Sequence, residues 1–328
     1  MTILSLKQKL KHSKLIVAIF NLLHRPKPEV KLSYGNENQD KTFYVIGRND
    51  RVGGAWSILI QILNHIAYAV EKGYKPVIDM QNYYNQYILD AELGNVNIWE
   101  RYFEQPSGYS LEDISRSKNV VVSSTAYAPD KNLNIGLGGS FWTDKEIMKK
   151  FQELFKEYIR YSSYMKNYLE NEMGRVLQGH RNVIGVLCRG TDYLKNRPAW
   201  HDVQPTPPLV LADVKKEFSG GKYFGVFLAT EDLDILNEFK AEFGDKLFYL
   251  EQDRVSMSDM KGDAWLNDVK KQLNPNEDKN QSFLTYYAAT YILSKCSCFF
   301  TGRNGGSIGV FLQSPHFDFV KIYDFGKY

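Results

Sequence analysis

From residue 183 onward the chain alternates short apolar runs with stretches of helical period. Val183 to Cys188 precedes a helix over Pro208 to Phe218, Tyr223 to Ala229 one over Leu233 to Phe243, and Leu247 to Glu251 one over Gln281 to Ser294. Cys298 to Thr301 then runs into a glycine-rich turn and a last helix. Apolar runs without polar alternation suit strands covered on both faces, and the helices between them supply the crossovers that parallel strands need. This half is therefore expected to be a Rossmann-like domain.

The first half carries the same signal more thinly. A strand over Phe43 to Gly47 is followed by a Gly53-Gly54 loop, a helix from Ala55 to Lys72 and a strand from Lys75 to Met80. A further strand is expected over Asn119 to Ser124, and a long charged helical region over Thr143 to Met173 joins the halves. The pattern predicts an α/β protein of two Rossmann-like domains facing across a cleft, an N-terminal one over 41–172 and a C-terminal one over 173–328. Residues 1–40 read as a basic amphipathic leader and linker.

Charge distribution sharpens this division. Lys7, Lys9, Lys11, Lys14, Arg25, Lys27 and Lys31 stand against Glu29 alone, a local +6 in a chain whose net formal charge is +3. The remaining body is weakly acidic, which argues against nucleic acid as a partner. Ile3, Leu6, Leu10 and Val17 recur at helical spacing opposite lysines, so the leader suits peripheral contact with an anionic membrane, or docking on the protein's own core. Its apolar run, Leu15 to Leu23, is too short to span a bilayer. Cys188, Cys296 and Cys298 lack zinc-site spacing and read as reduced thiols, as expected in the cytoplasm.

In open α/β sheets ligands bind beyond the carboxyl ends of the strands, and three such ends are polar. Cys188 leads into Arg189-Gly190-Thr191-Asp192, where a planar guanidinium suited to phosphate sits beside a glycine that allows close backbone approach. Ala229 leads into Thr230-Glu231-Asp232, which could line a nucleotide or cap the next helix. Thr301 leads into Gly302-Arg303-Asn304-Gly305-Gly306-Ser307, whose backbone N–H groups and helix dipole could hold a pyrophosphate. In the first half Arg48, Asp50, Gly53 and Gly54 could meet an acceptor, as could Trp200 in the long loop that also holds His201 and Asp202.

The segment Gly185-Val-Leu-Cys-Arg189-Gly-Thr191-Asp192, with His201 following, resembles the first motif of the fucosyltransferase superfamily that includes α1,6-, nodulation and protein O-fucosyltransferases. Leu228 to Asp232 and Gly302 to Ser307 are similar to its second and third motifs, and Gly53-Gly54 through Asp79 to its acceptor-side opening. The resemblance implies a GT-B-like architecture, with 41–172 as the acceptor-side domain and 173–328 as the nucleotide-sugar-binding domain, GDP-L-fucose as sugar donor, inversion at the anomeric carbon, and neither metal nor cofactor. By that likeness Arg189 binds the β-phosphate, Asp192 orders the loop, Glu231 and Asp232 line the nucleotide, and Gly306 and Ser307 the pyrophosphate; Gly190, Thr230, Asn304 and Gly305 join the expected nucleotide-binding set by their place in the same three loops. Leu187 stands where the family has a histidine, Gly190 where it has a second arginine, and Arg197 where core α1,6-enzymes have a carboxylate.

The resulting expectation is an inverting, metal-independent glycosyltransferase that moves fucose to an oligosaccharide or lipid-linked glycan at the inner face of the cytoplasmic membrane, in surface polysaccharide synthesis. Arg189, Asp192 and His201 are its expected catalytic residues, with Asp50 and Asp202 as further candidate bases. A polysaccharide-modifying pyruvyltransferase and a non-catalytic nucleotide- or glycan-binding protein are the alternatives.

Overall fold

The computed structural model describes residues 26–47, 49–50, 53–136, 139–314 and 316–328. Residues 1–25 of the stretch expected to be leader and linker, and the candidate Arg48, lie outside the described residues. Two sheets organise the rest. The first has the order β1-β4-β2-β3, built from β1 (Val30–Leu32), β2 (Phe43–Ile46), β3 (Lys75–Ile78) and β4 (Val120–Val122). Its strands are parallel except β1, which pairs antiparallel with β4. Val30–Leu32 falls inside the stretch read as leader and linker, yet it forms the edge strand.

The second sheet is parallel throughout, in the order β7-β6-β5-β8-β9, from β5 (Val183–Leu187), β6 (Gly225–Ala229), β7 (Leu247–Phe248), β8 (Cys298–Gly302) and β9 (Phe319–Tyr323). The chain moves outward from β5 in one direction, then returns to β8 on its other side. That reversal creates a topological switch point between β5 and β8, where crossover helices leave on opposite faces and open a crevice.

The helices are α1 (Ala55–Glu71), α2 (Ile98–Tyr102), α3 (Leu111–Ile114), α4 (Lys145–Tyr158), α5 (Ser163–Leu177), α6 (Thr191–Asn196), α7 (Pro207–Phe218), α8 (Leu233–Phe243), α9 (Leu266–Leu273), α10 (Lys279–Leu293) and α11 (Gly305–Gln313). The long charged region expected to be one helix is two, α4 and α5. Ile159 is buried in the core, Tyr161 bridges to Phe103, and Ser162 caps α5 by accepting from the Met165 amide at 3.2 Å. Two inward-facing apolar side chains followed by an N-cap serine end one helix and start the next. The strand expected over Leu247 to Glu251 is confined to two residues, and β9 has no counterpart in the sequence reading.

One apolar core runs through both halves. Trp56 on α1 is fully buried, stacks on Tyr287 of α10 with centroids 5.2 Å apart, and donates from Nε1 to Thr290 Oγ1 at 2.9 Å. It lies so close to α11 that a β-carbon at Gly309 would overlap its ring. No helix among the described residues is long and apolar enough to cross a membrane.

Candidate active site

The register of the second sheet decides what can meet at its carboxyl edge. Leu187 pairs with Ala229 on one side and Thr301 on the other, so the loops after β5, β6 and β8 leave from one level. Those after β5 and β8 flank the switch point.

The loop after β5 is held by the loop after β6. Glu231 Oε1 accepts from the Gly190 amide at 3.0 Å and from Thr191 Oγ1 at 3.1 Å, while Asp232 Oδ2 accepts from the Thr191 amide at 3.2 Å. Asp232 Oδ1 also caps α8 through the Asp234 and Ile235 amides. A β-carbon at Gly190 would overlap the Asp232 carboxylate, which accounts for glycine there, and Thr191 is drawn to a φ of 44°. Burial raises the pKa of Asp232, against the backbone N–H groups that favour its charge. Thr230 Oγ1 accepts from the Asp232 amide at 3.2 Å. In this structure Thr230 Oγ1, Glu231 Oε1 and both Asp232 carboxylate oxygens accept hydrogen bonds from the protein itself.

That clamp presents Arg189. Its Nη2 donates to Asp192 Oδ1 at 3.0 Å, Glu231 Oε1 lies 3.7 Å from Nε, and the guanidinium sits 4.3 Å from the centre of the Tyr193 ring. Burial alone would disfavour the charge, but Glu231 and Asp192 outweigh it and hold the pKa above its ordinary value. Its Nε–H is buried and makes no hydrogen bond among the described residues. An always-charged, partly exposed guanidinium at a sheet's carboxyl edge suits a phosphate oxygen. Asp192 has both oxygens engaged, the second accepting from the Leu266 amide at 3.2 Å.

Across the switch point, Asn304 and Ser307 close a capping box at the start of α11. Asn304 Oδ1 accepts from the Ser307 amide at 3.0 Å and Ser307 Oγ from the Asn304 amide at 2.9 Å. The Gly305 and Gly306 amides have no acceptor among the described residues, and no acidic side chain lies in that first turn. The helix start is thus open to an anion.

Tyr286, on α10, escaped the sequence reading. A β-carbon at Gly306 would lie 3.2 Å from its hydroxyl, and one at Gly54 would lie 3.9 Å from its ring. Burial first, then its acidic and phenolic neighbours, push its pKa up to about 12, although Arg189 pulls the other way. It therefore links the expected acceptor-side loop, the glycine turn and the arginine. In sequence, the Tyr286-Tyr287 pair reads only as helix core. In the first half, Asp50 Oδ1 accepts from the Gly53 amide at 2.7 Å and Oδ2 from Gln61 Nε2 at 3.1 Å.

The loop after α6 brings His201 to the same rim. Its Nδ1 is 3.1 Å from the hydroxyl of Tyr193, the ring that stacks on Arg189. Its Nε2 has no hydrogen-bond partner among the described residues. Burial lowers the His201 pKa below the ordinary imidazole value, Arg189 adds to that, and Asp202 and Asp192 oppose it. Burial raises the Asp202 carboxyl, against Lys327 and Arg303. Trp200 stands 74% exposed at a φ of 71°, a conformation costly for a bulky side chain.

No family model matches the chain, and a search of the curated proteins finds no match. Solved structures do match. The fucosyltransferase NodZ from Bradyrhizobium superposes with a TM-score of 0.51 at 15% identity, over 87% of this chain and 96% of that one. NodZ alpha-1,6-fucosyltransferase co-crystallised with GDP gives a TM-score of 0.50 at 16% identity, over 87% and 96% of the two chains. With its two α/β sheets, this chain has the GT-B fold of those fucosyltransferases.

Proposed function

We propose that this chain is an inverting, metal-independent fucosyltransferase that uses GDP-fucose and delivers the sugar to an oligosaccharide or lipid-linked glycan. One observation carries the reading: at the switch point the partly exposed, charged guanidinium of Arg189 and the unbonded Gly305 and Gly306 amides offer positive potential to one phosphate group or pair of groups. The co-crystallisation of NodZ with GDP agrees with a nucleoside diphosphate there.

The chemistry follows from these groups. The acceptor hydroxyl attacks the anomeric carbon from the face opposite the diphosphate, a carbon–oxygen bond forms, and the bond to the β-phosphate oxygen breaks with its electron pair. Arg189 and the two amides stabilise the charge that develops on the departing GDP. His201 takes the hydroxyl proton. In the tautomer whose Nδ1–H donates to the Tyr193 hydroxyl, Nε2 holds the free lone pair, and a lowered pKa favours the neutral ring. Asp192, with both oxygens engaged, positions Arg189 instead. Trp200 offers an exposed ring to the acceptor glycan. The basic leader would hold the enzyme against anionic lipid on the cytoplasmic face.

Calorimetric titration with GDP, UDP, CDP and dTDP tests the donor site, and release of GDP from GDP-fucose tests the reaction. GDP binding with the others weaker supports the reading. Absence of binding by every nucleotide overturns it.

A further inference from the structure

The residues between β7 and α10 form a small body of their own. Val255, Met260, Leu266 and Val269 are buried together in a satellite core separate from those of the two sheets. This body is fastened to the motif that carries Arg189. Val255 exchanges backbone hydrogen bonds with Glu231 and Leu233, Lys195 Nζ donates to the Met260 carbonyl, and Asn196 Nδ2 donates to the Ala264 carbonyl at 3.0 Å. Asp192, paired with Arg189, accepts from the Leu266 amide at the start of α9.

The next residue crosses to the other half. Asn267 Nδ2 donates to Gln86 Oε1 at 3.0 Å, and Gln86 Nε2 donates to the Gly53 carbonyl at 2.6 Å. Both side chains are half-buried, which shields the bond from competing water. An unbroken path therefore runs from the guanidinium through Asp192, Leu266, Asn267 and Gln86 to the glycine loop. Its first link is shared: a diphosphate that draws on Arg189 competes with the carboxylate that anchors α9.

We propose that Asn267 and Gln86 are positioning residues. Their hydrogen bond latches the Gly53–Gly54 loop to the half that carries Arg189, and it transmits occupancy of the Arg189 site to that loop. The second clause rests on the nucleotide reading of Arg189; the first does not. The terminal amide of Gln86 suits the role because one face accepts from Asn267 while the other donates to Gly53. Substitution on either side breaks the same link.

Hydrogen exchange of peptides covering residues 53–58 in the full chain tests both clauses. Without ligand, Asn267→Ala and Gln86→Ala should each speed exchange there by about tenfold, and the double variant should add nothing further. Additive effects, or no effect of either, overturn the latch. Saturating GDP should slow exchange in these peptides by about fivefold in the wild type. In Asn267→Ala that response should vanish while calorimetric GDP affinity stays within about twofold of wild type. Retained protection in the variant overturns transmission, as does wild-type GDP binding that leaves the loop unchanged. If GDP does not bind the wild type, transmission and the nucleotide reading both fall, and the ligand-free comparison still decides the latch. Circular dichroism melting of each variant separates loss of the latch from loss of the fold.

Discussion

Two glycine pairs begin helices at the cleft, Gly53-Gly54 before α1 and Gly305-Gly306 in α11, and the structure treats them oppositely. At the first, a carboxylate already stands beside the turn: Asp50 takes the Gly53 amide one residue before the N-cap Gly54, whose helix has no side-chain cap, and a β-carbon at Gly53 would press on the same oxygens. At the second, the neutral pair Asn304 and Ser307 caps the helix and leaves two amides open. A strand, a glycine pair and a helix make an anion site only where no internal carboxylate occupies it. Both starts pack on one side chain: Trp56 is in α1, and a β-carbon at Gly305 would lie 3.8 Å from it.

Removing that shared side chain should break the arrangement altogether. Trp56→Ala deletes a fully buried indole, its stack on Tyr287 and its bond to Thr290, and should cost about 3–5 kcal/mol of stability by denaturant melting. A loss under about 1 kcal/mol would show that the two halves do not depend on this junction.

The next two predictions ask what the second start needs from its neighbours. His201→Gln should lower turnover roughly 100-fold with little change in GDP affinity. As a base His201 must be neutral, and its pKa lies below the ordinary imidazole value. The rate should therefore rise with pH through a midpoint below about 6.5 and stay flat above it. A limb unchanged in His201→Gln would give the role to another group. Arg189→Ala should weaken GDP binding about 10- to 100-fold, the scale of one hydrogen bond to a charged partner. Unaltered affinity would leave the glycine amides as a site without their cation.

How much of this was legible in sequence follows from the range of the interactions. The alternation of strands and helices is local, and α8 begins and ends where the pattern puts it. Arg189, the Thr230 to Asp232 loop and the glycine turn were legible because strand ends share an edge. What each carboxylate does was not. Asp192 read both as ordering its loop and as a candidate base, and Glu231 as lining a nucleotide; the fold shows both Asp192 oxygens accepting, from Arg189 and Leu266, and Glu231 Oε1 accepting from Gly190 and Thr191. Tyr286, Gln86 and Asn267 stayed hidden because their contacts reach across the two halves, where periodicity carries no information.

The smallest expected effect tests the comparison most directly. Asp50→Asn removes the charge from the first helix start but keeps an oxygen for the Gly53 amide, so the loop should persist. The new amide would face the Gln61 Nε2 that now donates to Asp50 Oδ2, a mismatch that a flip of Gln61 relieves, so the stability cost should be about 1 kcal/mol. If the anion belongs to the second start, GDP affinity should stay within about twofold of wild type, since an exposed cleft screens a charge beyond the binding site. An increase of tenfold or more would mean that Asp50 repels the diphosphate directly. The ligand would then span both glycine pairs, and the division between a filled and an open helix start would fail.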